Sequence, residues 1–236
     1  MATISTFNKV FVQMKEEKSD SHESRKINAA QERFAKFKQS AAVLNEEARK
    51  LLFTEARSQN GWLDRPVTEE ILREVYSLAK MGATSMNGSP AHFAFINSDQ
   101  GKERLRPTIL PFNLDKVMTA PVVCIVASDY EFYRKLDKLF PDSPGADSLF
   151  KNDEDLAQVT AFRNGTLQGA YLMLAARAVG LDCGPMSGFN NAAVDEEFFG
   201  GTKLKSNFLC CLGYGDHKKI SYRFPRLEFE EACELI

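Results

Sequence analysis

The chain has 236 residues, of which 44% are hydrophobic and 26% are charged, and its formal net charge is −2. These values are typical of a globular protein with one large domain. The balanced charge offers no basic surface for nucleic acid, and no apolar run approaches the roughly 20 residues of a membrane-spanning helix. We therefore expect neither nucleic acid nor a membrane as a partner.

The first 46 residues differ in composition from the rest of the chain. The run "KEEKSDSHESRK" is polar and of mixed charge, whereas "INAAQERFAKF" has apolar residues at helical spacing. We predict that residues 1–46 form a polar extension that is partly disordered or helical, and that residues 47–236 form the folded domain. The extension is either dispensable or a helix that binds a partner.

Helices and strands alternate from residue 47 onward. Apolar periodicity predicts helices over 47–57, 68–81, 154–179 and 194–198. Strands are predicted over 92–97, 122–127 and 207–213, with "GLDCGPM" at 180–186 as a short fourth. Because these strands are apolar without clean alternation, both faces of the sheet should be covered. The pattern indicates an α+β or α/β sandwich with helices over a small sheet.

A long polar loop over residues 129–153 contains Pro141, Pro144 and Gly145. A loop of this length inside a compact domain is usually a lid, a binding loop or a disordered piece. The sequence leaves these alternatives open.

The five cysteines form no CxxC pair and have no zinc-ligand spacing with histidine. Most lie in apolar runs such as "VVCIVA" and "FLCCLGYG", where a buried thiol behaves as a small hydrophobic side chain. This usage predicts a reducing compartment. Residues 1–15 lack acids, as transit peptides do, but acids follow at once, so we predict a cytoplasmic location.

Several common catalytic motifs are missing from the sequence. It contains no GxxxxGK[ST], GxGxxG or GxSxG motif, and its three histidines have no paired ligand at useful spacing. A hydrolytic triad is therefore unexpected, and we predict no metal site.

The remaining polar segments lie at the ends of elements. They are "EARSQNGW" at 55–62, "GATSMNGSP" at 82–90, "CGPMSGF" at 183–189 and "YRFPRLEFEE" at 222–231. Each segment alone has the residues of an ordinary turn. Together, arginines suit a phosphate, while hydroxyls, amides and glycines suit a ribityl chain or a flat heterocycle.

The order of these segments resembles the FMN-dependent nitroreductase family, over about residues 47–236. Six blocks carry the resemblance: "FTEARSQNGW", "ATSMNGSPAHF", "NLDKVMTAPV", "FRNGTLQGAYLMLAARAVGLDCGPMSGF", "LKSNFLCCLGYGD" and "PRLEFEEA". They are most similar to the malonic semialdehyde reductase branch of the Rut pathway for uracil degradation. The resemblance implies an α+β three-layer sandwich with a small mixed sheet, in a domain-swapped homodimer.

The resemblance also implies a role for the loop at 82–90. In such a homodimer this loop reaches across the interface to the flavin of the other subunit. Thr84, Ser85 and Asn87 would then hydrogen-bond the isoalloxazine and ribityl oxygens of that flavin.

Other cofactor contacts are implied within the same chain. Arg57 and Ser58 would hold the phosphate and ribityl end of FMN, and Arg226 would close on the phosphate. The residues implied to lie along the flavin ring or the ribityl chain are Asn113, Ser187 and Gly188.

The chain departs from the common family pattern at three positions. The widespread motif Arg-x-Ser-x-Arg/Lys has Ala56 and Asn60 at its basic positions here, and the usual tryptophan after the "NGSP" proline is Ala91. Missing positive charge near the flavin predicts a lower reduction potential. The semialdehyde reductase branch shows the same changes.

The implied activity is ping-pong hydride transfer from NADH or NADPH through flavin N5 to an acceptor. The acceptor implied by the branch is malonic semialdehyde, which would give 3-hydroxypropionate. Arg163 is a candidate contact for the substrate carboxylate, although a salt bridge or helix capping explains it equally well. The alternatives are a broad-specificity nitroreductase or quinone reductase, and a non-catalytic binding protein on the same fold.

Overall fold

The computed structural model describes residues 21–236, with side chains from residue 24 onward. The α-helices of this part are α1 Ser21–Ser40, α2 Glu46–Arg49, α3 Glu69–Ala79, α4 Asp99–Leu105, α5 Leu114–Met118, α6 Leu136–Leu139, α7 Ser148–Lys151, α8 Glu154–Ala178, α9 Asn191–Phe199 and α10 Phe229–Ala232. The strands are β1 Ala91–Ile96, β2 Val122–Asp129, β3 Asp182–Met186 and β4 Leu204–Gly213. Helix α2 continues as a π-helical turn over Lys50–Thr54. The predicted helices and strands are confirmed, with shifts of a few residues at their ends.

Local capping explains where the two main helices begin. Thr68 accepts a hydrogen bond from the backbone N–H of Ile71 at the start of α3, and Asp153 accepts one from Leu156 at the start of α8. Helix α8 ends before Gly180, which has a φ of 84° that favours glycine. Both starts therefore follow from side chains that satisfy free backbone donors.

The sheet has the strand order β1-β2-β4-β3, and its three pairings are antiparallel. The sequence predicted a mixed sheet, but parallel pairing within the described residues is confined to one isolated bridge between Ser58 and Cys183. Strands β1 and β4 lie on either side of β2, and both run in the opposite direction to it. The fold is an α+β sandwich of the predicted class.

Helices cover both faces of the sheet and form two separate hydrophobic clusters. On one face, α3 and α8 pack on β2 and β4 through residues that include Val75, Leu172 and Val126. On the other face, α4, α5 and α9 pack through residues that include Leu105, Val117 and Val194. Strand β2 is consequently buried from residue 122 to residue 128, as its unbroken apolar run predicted.

The segment between β2 and α8 is folded. It contains two short helices, and Phe132, Leu136 and Phe150 form a third cluster against α8. The rings of Phe132 and Phe150 lie 4.8 Å apart and are tilted edge to face. Among the alternatives for residues 129–153, the disordered piece is wrong, because these aromatic side chains bury one another.

The predicted extension is described only in part. Helix α1 lies within it, and residues 24–47 are exposed. The predictions for residues 1–20 lie outside the described residues, and the division at residue 46 stays a prediction. No helix in the described part of the chain is long and apolar enough to cross a membrane.

Candidate functional site

Four arginines line one cavity of about 550 Å³ beside the π-helical turn Lys50–Thr54 that follows α2. They come from three segments that are distant in sequence. The full lining is Phe53, Ala56, Arg57, Ser58, Asn60, Arg177, Ser221, Tyr222, Arg223, Phe224 and Arg226. Because no carboxylate belongs to this lining, the cavity suits a multiply charged anion such as a phosphate.

Arg57 attaches the C-terminal segment to this cavity, whereas Arg226 bonds only within that segment. The Arg57 guanidinium donates to the carbonyl of Ser221, and Arg226 donates to the carbonyls of Phe224 and Pro225 at 2.9 and 3.1 Å. Neither guanidinium has a carboxylate partner in the described part of the chain. Since an arginine has five N–H donors, both keep donors for an anion.

Arg177 and Arg223 line the same cavity. Arg223 belongs to the segment 222–231 whose arginines suit a phosphate, whereas Arg177 was not predicted as a site residue. Arg177 donates to the carbonyl of Leu52 at 3.0 Å. Arg223 donates to the carbonyls of Thr54 and Ala56 at 2.6 and 3.2 Å. These carbonyls lie at or just beyond the C-terminal end of the π-helical turn Lys50–Thr54, where free acceptors and the helix dipole favour a cation. The sequence feature that could have indicated Arg177 is its position in "AARAVG", where it is the one charged residue at an otherwise apolar helix end.

Ser58 lies between this cavity and strand β3. Its backbone bridges to Cys183, and the N–H of Gln59 donates to the carbonyl of Cys183 at 2.9 Å. Strand β3 ends at Met186 and leads directly into Ser187. Residues 57–59 are therefore fixed beside β3, the strand that leads into the predicted site residues Ser187 and Gly188.

Asn113, Ser187 and Gly188 lie together at the end of β3. The side-chain amide of Asn113 donates to the carbonyl of Gly188 at 3.2 Å. A Cβ on Gly188 would lie 2.4 Å from the Nδ2 atom of Asn113 and 2.9 Å from the ring of Phe112. Glycine is thus required by the close approach of these two side chains.

Lys116 is a buried cation that the sequence analysis missed. Its side chain is only 8% exposed, and its Nζ atom lies 3.4 Å from the carbonyl oxygen of Pro185 on β3. Burial lowers the pKa of Lys116, because the charged ammonium loses hydration there. The nearby Oε1 atom of Gln59 is buried and has no hydrogen-bond partner among the described residues. The lysine in "NLDKVM" was visible in the sequence, but its burial was not.

The predicted loop residues Thr84, Ser85 and Asn87 lie in a different place. The N–H of Ser85 donates to the side chain of Asn164 at 2.8 Å, and Asn87 donates to the carbonyl of Leu139 at 2.8 Å. Asn164 is in the first half of α8, whereas Arg177 beside the arginine cavity is in its last turn. At 1.5 Å per residue, the two positions are about 20 Å apart along the helix. One chain therefore does not bring the loop and the arginine cavity together.

Arg163 is exposed on α8, next to Asn164. It lines a cavity of about 670 Å³ that is mostly apolar, together with Tyr130, Phe162 and Leu167. No hydrogen bond or ion pair involves its guanidinium among the described residues. A salt bridge therefore does not explain Arg163 in the described part of the chain.

The cysteines are free, and four of the five are buried as predicted. Burial raises the pKa of the Cys124 thiol well above the usual value and that of Cys211 to about 12. A hydrogen bond with Cys183, together with burial, raises the pKa of the Cys210 thiol well above the usual value. Cys233 is exposed. Within residues 21–236, no group of three or more histidine, cysteine, aspartate or glutamate side chains is arranged to hold a metal ion.

The residues around the arginine cavity and β3 fit the parts of FMN. The carboxylate-free arginine lining suits the phosphate, and the amide and backbone groups at Asn113 and Gly188 offer polar contacts to a flat ring. Lys116 adds a buried positive charge beside the same strand. The donor set therefore has the chemistry that FMN requires.

Comparisons with known proteins give a consistent result. The model of the nitroreductase family matches residues 54–215. HadB from Ralstonia pickettii, named as an NADH dehydrogenase/NAD(P)H nitroreductase, is 59% identical over 186 residues, which cover 78% of this chain and 95% of HadB. A protein of the same description from Cupriavidus pinatubonensis is 56% identical over 186 residues, with the same coverage of both chains.

Solved structures show the same fold. A nitroreductase from Exiguobacterium sibiricum in complex with FMN has a TM-score of 0.74 at 20% identity, covering 83% of this chain and 100% of its own. The ydfN nitroreductase from Bacillus subtilis has a TM-score of 0.72 at 22% identity, covering 81% of this chain and 100% of its own. By the match of the family model and the identity to these relatives, the chain belongs to the nitroreductase family.

Proposed function

We propose that this protein is an FMN-dependent NAD(P)H oxidoreductase that works as a homodimer. The observation that carries the proposal is the arginine cavity, whose lining holds four guanidinium groups and no carboxylate. The names of HadB and its Cupriavidus relative support NAD(P)H as the reductant. The FMN in the Exiguobacterium structure supports the choice of cofactor.

The FMN phosphate binds at Arg57 and Arg226, with Ser58 at the ribityl end. Arg177 and Arg223 supply the positive charge that Ala56 and Asn60 do not. Asn113, Ser187 and Gly188 line the flavin ring. Gly188 packs so closely against Asn113 that no side chain fits at position 188, and this keeps the surface flat.

Lys116 provides a cation near the ring end of the site. Its ammonium lies against β3 and has no carboxylate partner among the described residues. A positive charge there favours an anionic reduced flavin. The lower reduction potential expected from Ala56 and Asn60 is therefore offset in part by Lys116. When bound, FMN supplies the two-electron hydride chemistry that links NAD(P)H to the acceptor.

The homodimer follows from the separation of the two predicted groups. Thr84, Ser85 and Asn87 contact the FMN of the partner subunit, since about 20 Å of helix α8 separates them from the arginine cavity of their own chain. Helix α8 also presents apolar side chains to solvent in this single chain. They are Val159, Phe162, Leu167 and Tyr171, each at least 42% exposed. A second copy would bury this face.

The acceptor that we propose is malonic semialdehyde, which is reduced to 3-hydroxypropionate. The sequence blocks of the semialdehyde reductase branch support this choice. A substrate carboxylate requires a cation, and Arg163 has no partner in the described part of the chain. Arg163 directly precedes Asn164, which holds the loop, so it lies close to the loop that we propose contacts the partner subunit's flavin.

A second candidate acceptor is a quinone or a nitroaromatic compound. The cavity beside Arg163 favours it, because Tyr130, Phe162 and Leu167 give the cavity a mostly apolar lining. The names of the two curated relatives point the same way.

A visible spectrum of the purified protein with added FMN tests the proposal. Anaerobic NADH or NADPH should bleach the flavin band, and malonic semialdehyde should restore it. Recovery only with quinones or nitroaromatics would favour the second acceptor class. Absence of bound flavin would overturn the proposed function and leave the non-catalytic alternative.

A further inference from the structure

The loop 84–89 has an unusual backbone. Met86, Asn87 and Ser89 have φ values of 53°, 51° and 41°, which lie in the left-handed region that non-glycine residues rarely adopt. Such a backbone persists only where the surroundings determine it, and it often marks a functional loop. The residues that contact this loop therefore determine its backbone conformation.

Two buried amides of helix α8 hold the chain near both ends of the loop, at Ser85 within it and at Ala91, which begins β1. Asn164 and Gln168 are both 4% exposed. The side-chain oxygen of Asn164 accepts from the N–H of Ser85 at 2.8 Å, and that of Gln168 accepts from the N–H of Ala91 at 2.8 Å. Because the two amides are four residues apart, they lie on one face of the helix, one turn from each other.

The orientation of the Asn164 amide is itself fixed. Its Nδ2 group donates to the carbonyl of Thr160 one turn earlier in α8, at 2.8 Å. The oxygen is consequently directed at the loop. The amide thus has both ends paired, as a buried polar group must.

Each amide is followed by a glycine that allows α8 to approach the sheet. A Cβ on Gly165 would lie 2.3 Å from the hydroxyl oxygen of Ser128, and one on Gly169 would lie 2.5 Å from the ring of Phe208. Glycine is a poor helix former, so the repeated amide–glycine pair in "NGTLQG" has a packing reason. It brings short amide side chains within reach of the loop backbone.

We infer that Asn164 and Gln168 are positioning residues: they hold the loop 84–89 in its left-handed form, so that Thr84 and Ser85 face the FMN of the partner subunit. This inference rests on the proposed function. Neither amide touches the cofactor in this arrangement. The Ser85 side chain is free to do so, since its hydroxyl has no hydrogen-bond partner among the described residues.

Hydrogen exchange of the wild-type protein is the first test. The amide hydrogens of Ser85 and Ala91 should already be protected before FMN is added, because their acceptors are intramolecular. Rapid exchange of both in the FMN-free protein would overturn the inference, whatever the variants do.

Substitutions then connect the loop to the cofactor. Asn164→Leu and Gln168→Leu remove one acceptor each and should speed exchange at Ser85 and Ala91, respectively, by at least tenfold. Both should also weaken FMN binding at least fivefold by fluorescence titration. Asn164→Asp keeps an acceptor for Ser85 and should retain more FMN affinity than Asn164→Leu.

Asn191→Leu is the control. Asn191 also donates a side-chain amide hydrogen bond, to the carbonyl of Ser206 at 2.8 Å, and it lies on α9, on the other face of the sheet from α8. It should change neither the exchange of Ser85 nor the FMN affinity. Faster exchange in the leucine variants with unchanged FMN affinity would overturn the inference. Wild-type protein that binds no FMN, with both amides protected, would instead overturn the proposed function.

Discussion

Asn164 and Arg177 lie on the same helix, thirteen positions and about 20 Å apart, and each anchors a different part of the candidate site. Asn164 holds the backbone of Ser85, whereas Arg177 lines the arginine cavity. Helix α8 therefore acts as a rigid spacer between two groups that the proposed function requires at one cofactor. That geometry gives the proposed dimer a specific role, which is to bring the loop of one chain to the cavity of the other.

Removal of an arginine from the cavity should weaken FMN binding. A charged hydrogen bond contributes about 1.5–3 kcal/mol, so Arg57→Ala and Arg226→Ala should each raise the FMN dissociation constant by about 10- to 100-fold. Fluorescence titration measures this change. Arg104→Ala is the control, since Arg104 pairs with Glu197 elsewhere on the surface. An equal loss in all three variants would contradict the assignment of the cavity.

Arg163→Ala should separate charged from neutral acceptors. Loss of the guanidinium should raise the KM for malonic semialdehyde about tenfold or more, because its carboxylate loses its partner. The KM for a neutral quinone should change less than twofold. Steady-state kinetics with both acceptors checks this, with Arg134→Ala as a control, since Arg134 is already paired with Glu131. Equal effects of Arg163→Ala on both acceptors would remove Arg163 from the site.

A charge on the exposed face of α8 should disrupt the dimer. Leu167→Glu puts a carboxylate among apolar side chains, and a buried unpaired charge is costly at an interface. The variant should elute as a monomer in size-exclusion chromatography and bind FMN more weakly. Leu63→Glu is the matched control, because Leu63 is 49% exposed and Leu167 is 47% exposed. A dimer that survives Leu167→Glu would contradict the proposed interface.

Lys116 should make stability depend on pH in a specific direction. Its pKa is lower in the folded state than the ordinary 10.5, so the unfolded chain binds more protons between these two values. The free energy of unfolding must then rise with pH across that window. The cost of burying the charged Lys116 ammonium disappears as the pH approaches 10.5. Denaturant unfolding of FMN-free wild type and Lys116→Met should show the wild type gaining stability relative to the variant as pH rises. A difference that is independent of pH would contradict the burial of a charged lysine.

Thiol reactivity should distinguish buried from exposed cysteines. Four thiols are buried, and Cys233 is exposed. Since the thiolate is the reactive form, burial should protect the other four, and raised pKa values add to this protection at Cys124, Cys210 and Cys211. Titration with Ellman's reagent should find one fast thiol in the native protein and five in denaturant, with the fast one lost in Cys233→Ser. A second fast thiol in the native protein would be inconsistent with this packing.

The sequence by itself determined the elements and the class of fold. The period of Leu72, Val75 and Ala79 predicted α3, and the unbroken apolar run of β2 predicted a strand covered on both faces. These predictions succeed because the pattern of apolar residues is local and follows the geometry of each element. The assignment of Arg226 and Gly188 to the cofactor site from their types and order stays a prediction.

Tertiary structure alone decided which of these residues meet. Arg177 and Arg223 are distant in sequence, and only the packing of α8 and of the C-terminal segment on the π-helical turn after α2 brings them to one cavity. The burial of Lys116 depends on its placement against β3, and the roles of Asn164 and Gln168 depend on the approach of α8 to the loop. The direction of the strand pairings also escaped the sequence analysis. Such contacts join positions far apart in the chain, so their energies leave no periodic signal in the sequence from which they could be read.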